Sequence, residues 1–124
     1  MRKTAVVRPC PCQGGTLVRF VQPIILSILS EEPSHGYAIL QKIGQTRLWK
    51  TEMPDPAGVY RTLKDMEERG LIASTIDVQG QTERKLYSLT DEGRNCRESW
   101  LDTLQDYRLG ISEVISALDK AMEM

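Results

Sequence analysis

The chain has 124 residues, 40% of them hydrophobic and 27% charged, with a formal net charge of -1. That is material for one domain with a real core plus appendages, and too little for a second independent domain. No apolar run approaches the roughly 18 to 20 residues that cross a bilayer, and the segment after Met1 lacks the long apolar stretch of a secretory signal, so a cytoplasmic protein with no membrane partner is expected.

Residues 1–16 read as an irregular N-terminal arm, because Arg2, Lys3, Arg8, two prolines, Cys10, Cys12 and Gly14-Gly15 do not build a core. From Leu17 an apolar pattern begins, with Leu17, Val21, Ile24, Ile25, Ile28 and Leu29 on a nearly continuous buried face. Pro23 suits a first turn better than a helix interior, so the first helix is predicted over 22–30. Glu31, Glu32 and Pro33 break it. Ser34 then caps a second helix in which Tyr37, Leu40 and Ile43 or Gly44 follow helical spacing, and residues 48–54 connect onward.

Asp55 caps a third helix, and Pro56 suits its first position, where the missing N–H costs nothing. Val59, Leu63 and Met66 share one face, and Gly70 ends the helix. Two short runs follow, 71–77 and 82–89, joined by Val78, Gln79, Gly80 and Gln81 as a four-residue hairpin loop. Glu83, Arg84 and Lys85 open the second run and give the hairpin tip positive charge. The predicted fold class is mainly α with a small β-hairpin. In that order of elements, residues 17–90 form a winged helix-turn-helix domain.

Thr90 caps a last helix over 91–124, with Asp91 and Glu92 set against its positive end. Trp100, Leu104, Tyr107, Ile111, Val114, Leu118 and Ala121 recur at alternating spacings of 4 and 3, a heptad seam. At 1.5 Å per residue this stripe runs about 32 Å, too long for so small a winged domain to cover. Another copy of the helix, or the first helix of a partner subunit, must remove it from water, so a homodimer is expected. Gly110 costs roughly 1 kcal/mol in such a helix and marks a bend or a close approach.

A winged helix-turn-helix meets duplex DNA with its third helix in the major groove and its wing on the adjacent backbone. Arg61 and Lys64 lie opposite Val59, Leu63 and Met66, where base edges and phosphates would be; the alternative is an ordinary solvated face. Arg84 and Lys85 alternate across a strand, so one points at phosphate while the other pairs with Glu83 or an acidic neighbour. Tyr37 and Tyr60 either donate hydroxyls to phosphates or pack against the first helix. The net charge divides unevenly: residues 1–50 carry seven basic and two acidic groups, a balance of +5, and residues 51–124 carry nine and fifteen, a balance of -6. Local basic groups rather than the total bind phosphate, so a moderate electrostatic contribution to affinity is expected.

Catalysis has no constellation to rest on: there is a single histidine, no Gly-rich phosphate loop and no pairing of carboxylates for acid–base work, and no cofactor is called for. Three cysteines are too few for a disulfide framework. Cys10 and Cys12 are close enough to bind one soft metal or respond to oxidation, with Cys96 joining from another segment, against the plainer reading of free thiols on an arm. Winged domains also serve as protein-binding adaptors, a reading that the acidic C-terminal half keeps open.

His35-Gly36-Tyr37, Val59-Tyr60 with Leu63, Glu67-Glu68 through Gly70-Leu71-Ile72, and Arg84-Lys85, Tyr87, Leu89-Thr90 and Gly93 together resemble the PadR family of bacterial transcriptional regulators, over about residues 22–95. The length is similar to the smaller subfamily, which has a single long C-terminal helix. The resemblance implies a homodimeric repressor on an inverted-repeat operator, released by a small molecule or a stress signal. Some relatives sandwich flat ligands between aromatic residues of the last helix, which makes Trp100, Leu104 and Ile28 candidates for an effector pore; simple core packing is the alternative. The sequence departs from the family in three ways: Ala57-Gly58 fills the turn before Val59, Arg61 stands where proline is frequent, and Met66 replaces a leucine. The Cys10-Pro11-Cys12 arm lies outside the pattern.

Overall fold

The computed structural model describes residues 20–49 and 54–124. The elements run α1 (Val21–Glu31), β1 (Ser34–His35), α2 (Gly36–Gly44), a single 3-10 turn (Arg47–Trp49), α3 (Pro56–Glu68), β2 (Ile72–Gln79), β3 (Thr82–Leu89) and α4 (Asp91–Met122). This is a winged helix-turn-helix followed by one long helix.

Helix α1 is the spine of the core. Val21, Ile25, Leu26, Ile28 and Leu29 are all buried, because α2, α3, α4 and β3 surround the helix and leave it no wide solvent face. Leu26 is therefore core although it lay outside the predicted stripe, and Ile24 is partly exposed although it lay inside. Leu17 falls outside the described residues. Ile39, Leu40 and Ile43 of α2, Trp49, the Val59–Leu63–Met66 face of α3, and Ile72 and Tyr87 of the sheet complete the cluster.

The sequence does not announce β1. Ser34 and His35 pair antiparallel with Tyr87 and Leu86, giving a three-stranded sheet in the order β1-β3-β2. Ser34 is thus drawn into the sheet, and the residue before α2 is His35, which makes no side-chain cap bond. The predicted serine cap is replaced by strand pairing.

Helix α3 starts and stops as its sequence dictates. The Asp55 carboxylate accepts from the Gly58 N–H at 3.2 Å, and Pro56 occupies the first turn. At the far end Gly70 takes φ +78°, and the N–H groups of Gly70 and Leu71 donate to the carbonyls of Glu67 and Met66 at 3.0 and 2.9 Å. Left-handed backbone at this position favours glycine and lets the chain turn directly into β2.

The hairpin is longer than expected. The ladder continues through Val78↔Glu83 to Gln79↔Thr82, leaving the two-residue loop Gly80-Gln81 in place of the predicted four. Gly80 has φ +64° and Gln81 does not, the arrangement of a turn with glycine at its first central position. The change moves each cross-strand partner by two residues and leaves the faces unaltered.

Thr90 caps α4 by accepting from the Gly93 N–H at 3.0 Å, and its hydroxyl lies 2.6 and 2.9 Å from the carbonyls of Gly70 and Leu71. One side chain thereby joins the end of α3, the sheet and the start of α4. At 32 residues α4 is about 48 Å long. Its first half packs along α1: Trp100 Nε1 donates to Gln22 Oε1 at 2.8 Å, Arg97 donates to Ser30 Oγ at 2.9 Å, and the Phe20 ring meets those of Trp100 and Tyr107. From Gln105 onward every residue of the chain is exposed. Among the described residues no helix is long and apolar enough to cross a membrane.

Candidate nucleic-acid interface

With Val59, Leu63 and Met66 committed to the core, α3 presents Arg61 and Lys64 to solvent on the opposite side, and neither forms an ion pair among the described residues. Tyr60, Lys64 and Glu67 follow at spacings of 4 and 3, so they share the flank of α3 that turns toward the hairpin. Tyr60 is held there by a close approach: a Cβ on Gly36 would sit 2.6 Å from its ring. Tyr60 is still 42% exposed and Tyr37 64% exposed, and the Tyr37 hydroxyl accepts from Gln41 Nε2 at 3.1 Å. Neither tyrosine packs into the α1 core.

These tyrosines open onto a cleft of about 340 Å³ walled by the first turn of α2 and by Arg84, Lys85 and Tyr87 of β3. Tyr37, Tyr60, Arg84 and Lys85 therefore converge at one place, beside the Arg61 and Lys64 face. Since His35 supplies no cap bond, the first N–H groups of α2 add the positive end of that helix to the same cleft.

The two wing cations have different surroundings. Arg84 lies opposite Asp77 in the ladder, but Asp77 Oδ2 is engaged by His35 Nε2 at 2.7 Å, and the Arg84 guanidinium reaches Gln79 Oε1 at 3.4 Å. Lys85, on the other face, pairs with Glu67 Oε1 at 3.4 Å, the acidic neighbour anticipated for one of the two. Ser74 Oγ donates to the second oxygen of Glu67 at 2.6 Å. That hydrogen bond above all, with help from the Lys85 charge and against partial burial, holds the Glu67 carboxyl below the usual carboxylate range. Burial pushes the Tyr87 hydroxyl up.

The ties from His35 to Asp77 and from Glu67 to Ser74 were not read from the sequence. Their signal was present in the period-2 alternation of the hairpin, but locating them needs β1 and the correct register.

The expected effector trio divides. A groove of about 470 Å³ between α1 and α4 is lined by Pro23, Leu26, Ser27, Trp100, Leu101 and Leu104, with Glu31, Arg97 and Glu98 at its rim. Ile28 is not among its walls: one residue beyond Ser27 it is turned about 100° around the helix and is buried in the core. Of the predicted seam, Trp100 and Leu104 are half-buried against α1, whereas Tyr107, Ile111, Val114 and Leu118 stay exposed. Cys10 and Cys12 lie outside the described residues. Cys96 has no disulfide partner among the described residues and is half-buried, and burial pushes its thiol up, which keeps it protonated and weakly nucleophilic.

Residues 25–99 match the family model described as the transcriptional regulator PadR-like family. The chain is 30% identical over 109 residues to the transcriptional regulator YqjI of Escherichia coli, covering 84% of this chain and 49% of that protein. It spans about half the length of the curated relatives it matches. Its structure is similar to that of a PadR family transcriptional regulator from Eggerthella lenta, with a TM-score of 0.64, 25% identity, and 80% and 85% of the two chains covered. It is also similar to Bacillus subtilis PadR crystallised with operator DNA, with a TM-score of 0.59, 28% identity, and 67% and 47% covered.

Proposed function

Because the chain belongs to the PadR-like family of transcriptional regulators, we propose that it binds a specific duplex as a homodimer, represses from an inverted-repeat operator, and is released by a small molecule or a stress signal. The observation that carries this reading is the convergence of Tyr37, Tyr60, Arg84 and Lys85 on one cleft beside the solvent face of α3. In it, α3 enters the major groove and Arg61 reads base edges, with Lys64 at base or phosphate. The cleft seats a backbone phosphate between the tyrosine hydroxyls, the first turn of α2 and Arg84. Residues 17–90 act as the DNA-binding unit, 91–124 as the dimerisation helix and 1–16 as an arm.

Dimerisation rests on the outer half of α4. Ile111, Val114 and Leu118 are each more than half exposed, a stripe that a second copy of α4 or of α1 covers. Two subunits joined this way hold their α3 helices near one turn of B-DNA apart, about 34 Å. A compound entering the groove beside Trp100 and Leu104 changes that distance and so weakens operator binding without touching DNA.

The test is a titration of the wild-type protein against a duplex enriched from a random-sequence pool, at rising salt. A DNA regulator loses affinity steeply with salt, and Arg61→Ala costs about 1 to 3 kcal/mol and relaxes base preference at one position of each half-site. A protein adaptor, the second reading, shows neither response.

A further inference from the structure

We propose that Glu67 is a positioning residue for DNA recognition: its carboxylate grips both strands of the wing and fixes the wing's angle against α3. The inference rests on the DNA-binding reading above and adds a role for a residue that need not touch DNA.

Glu67 is the last member of the row Tyr60, Lys64, Glu67, on the last turn of α3. Ser74 and Lys85 stand on the hairpin face that meets this row, since Ser74 is opposite Tyr87 and Lys85 is opposite Ile76. One Glu67 oxygen accepts from Ser74 on β2 at 2.6 Å and the other from Lys85 on β3 at 3.4 Å. A single side chain therefore spans helix and both strands.

Apolar packing cannot do this work. On the face toward α3 the buried contacts end at Ile72 and Tyr87, and the next residues outward, Ile76 and Val78, are 58% and 60% exposed. The outer half of the hairpin projects without an apolar partner among the described residues, and Glu67 makes the polar ties to α3 at its base. The angle matters because the wing must meet the backbone while α3 is seated in the groove; a tilt of a few ångströms at the tip loses one contact or the other.

The arrangement also assigns unequal roles to the two wing cations. Lys85 is paired with Glu67, whereas Arg84 has no carboxylate partner among the described residues. The wing's share of counterion release on binding then comes mainly from Arg84.

Charge alone and positioning predict opposite signs. Removing an acidic group beside the phosphate path should strengthen binding to every duplex, whereas releasing the wing should weaken binding to the preferred one. For Glu67→Gln, affinity for a duplex enriched by the wild type from a random pool is expected to fall about tenfold, a change of about 1.4 kcal/mol. Affinity for mixed-sequence DNA stays level or rises as Lys85 is freed. Ser74→Ala keeps every charge and should lose selectivity in the same direction, about threefold, and it carries the test should Glu67→Gln melt early. Equal selectivity ratios in wild type and both variants would overturn the proposal. A wild type that enriches no duplex would instead bring down the DNA-binding reading itself, and the positioning role with it.

Discussion

The winged body and the outer half of α4 both carry apolar stripes at helical spacing and end in opposite states. In the body, α1 repeats isoleucine and leucine at helical spacing and finds α2, α3, β3 and the start of α4 around it, so that Ile25 and Leu26 are almost fully buried. In the outer tail, Ile111, Val114, Ile115 and Leu118 repeat just as regularly and are all more than half exposed. Periodicity tells which face of a helix is apolar. It does not tell what covers that face: among the described residues the body covers its own stripe, whereas the stripe of the tail stays exposed.

The largest effect should come from the joint between the two regions. Gly93 is buried at the start of α4, and a Cβ there would overlap the Leu71 carbonyl oxygen and crowd the Leu89 side chain. A backbone carbonyl cannot swing aside as a side chain tip can, so Gly93→Ala should cost about 3 kcal/mol, near the upper end of overpacking penalties. Denaturant unfolding of the variant checks this, with the body and the tail losing their mutual alignment together. A loss under about 0.5 kcal/mol, the range of an ordinary surface substitution, would mean that the two regions are loosely joined.

Next comes the tail itself. Ile111→Glu with Leu118→Glu places two charges on the exposed stripe without touching the body's core. Light scattering should report the mass of two chains for the wild type and of one for the variant, with the unfolding of the winged body little changed. Affinity for the enriched duplex should fall about 100-fold, or about 2.7 kcal/mol, because each half-site then binds alone. A wild type that already runs as a single chain would break the contrast between body and tail.

What the sequence made legible follows the same division. Local rules held where the partner of a residue is near in sequence: Asp55 and Thr90 cap their helices, Gly70 turns the chain, and Val59, Leu63 and Met66 face the core. Readings that depend on distant partners fared less well. Ser34 reads as a cap because its residue type suits one, yet pairing with Tyr87, far along the chain, makes it a strand. Ile28 reads with Trp100 and Leu104 by its apolar character, and only the rotation of α1 separates it from their groove. In the candidate interface, the basic and aromatic residues are visible as types. The acids that govern them, Glu67 and Asp77, were not, since an acid in a basic wing has no meaning until its neighbours are known.

The smallest expected effect, and the sharpest probe of how the body holds its own wing, is acid sensitivity. The Ser74 hydroxyl, with help from Lys85, holds the Glu67 carboxyl below its ordinary range in the folded protein. The folded state therefore favours the ionised form more than the unfolded chain does. Stability from this group is fully present above the unfolded carboxylate value of about 4.3 and is lost as the pH falls through the depressed folded value. Unfolding free energies of wild type and Glu67→Gln should differ by a constant amount from pH 7 down to about 5, and the gap should close as acid protonates the carboxylate. The tail shows no comparable tie among the described residues, so self-association should persist through the pH range where the wing loosens. A gap that survives at pH 3 would assign Glu67's contribution to the packing of its stem rather than to its charge, and the wing would then be held by shape instead of by a carboxylate.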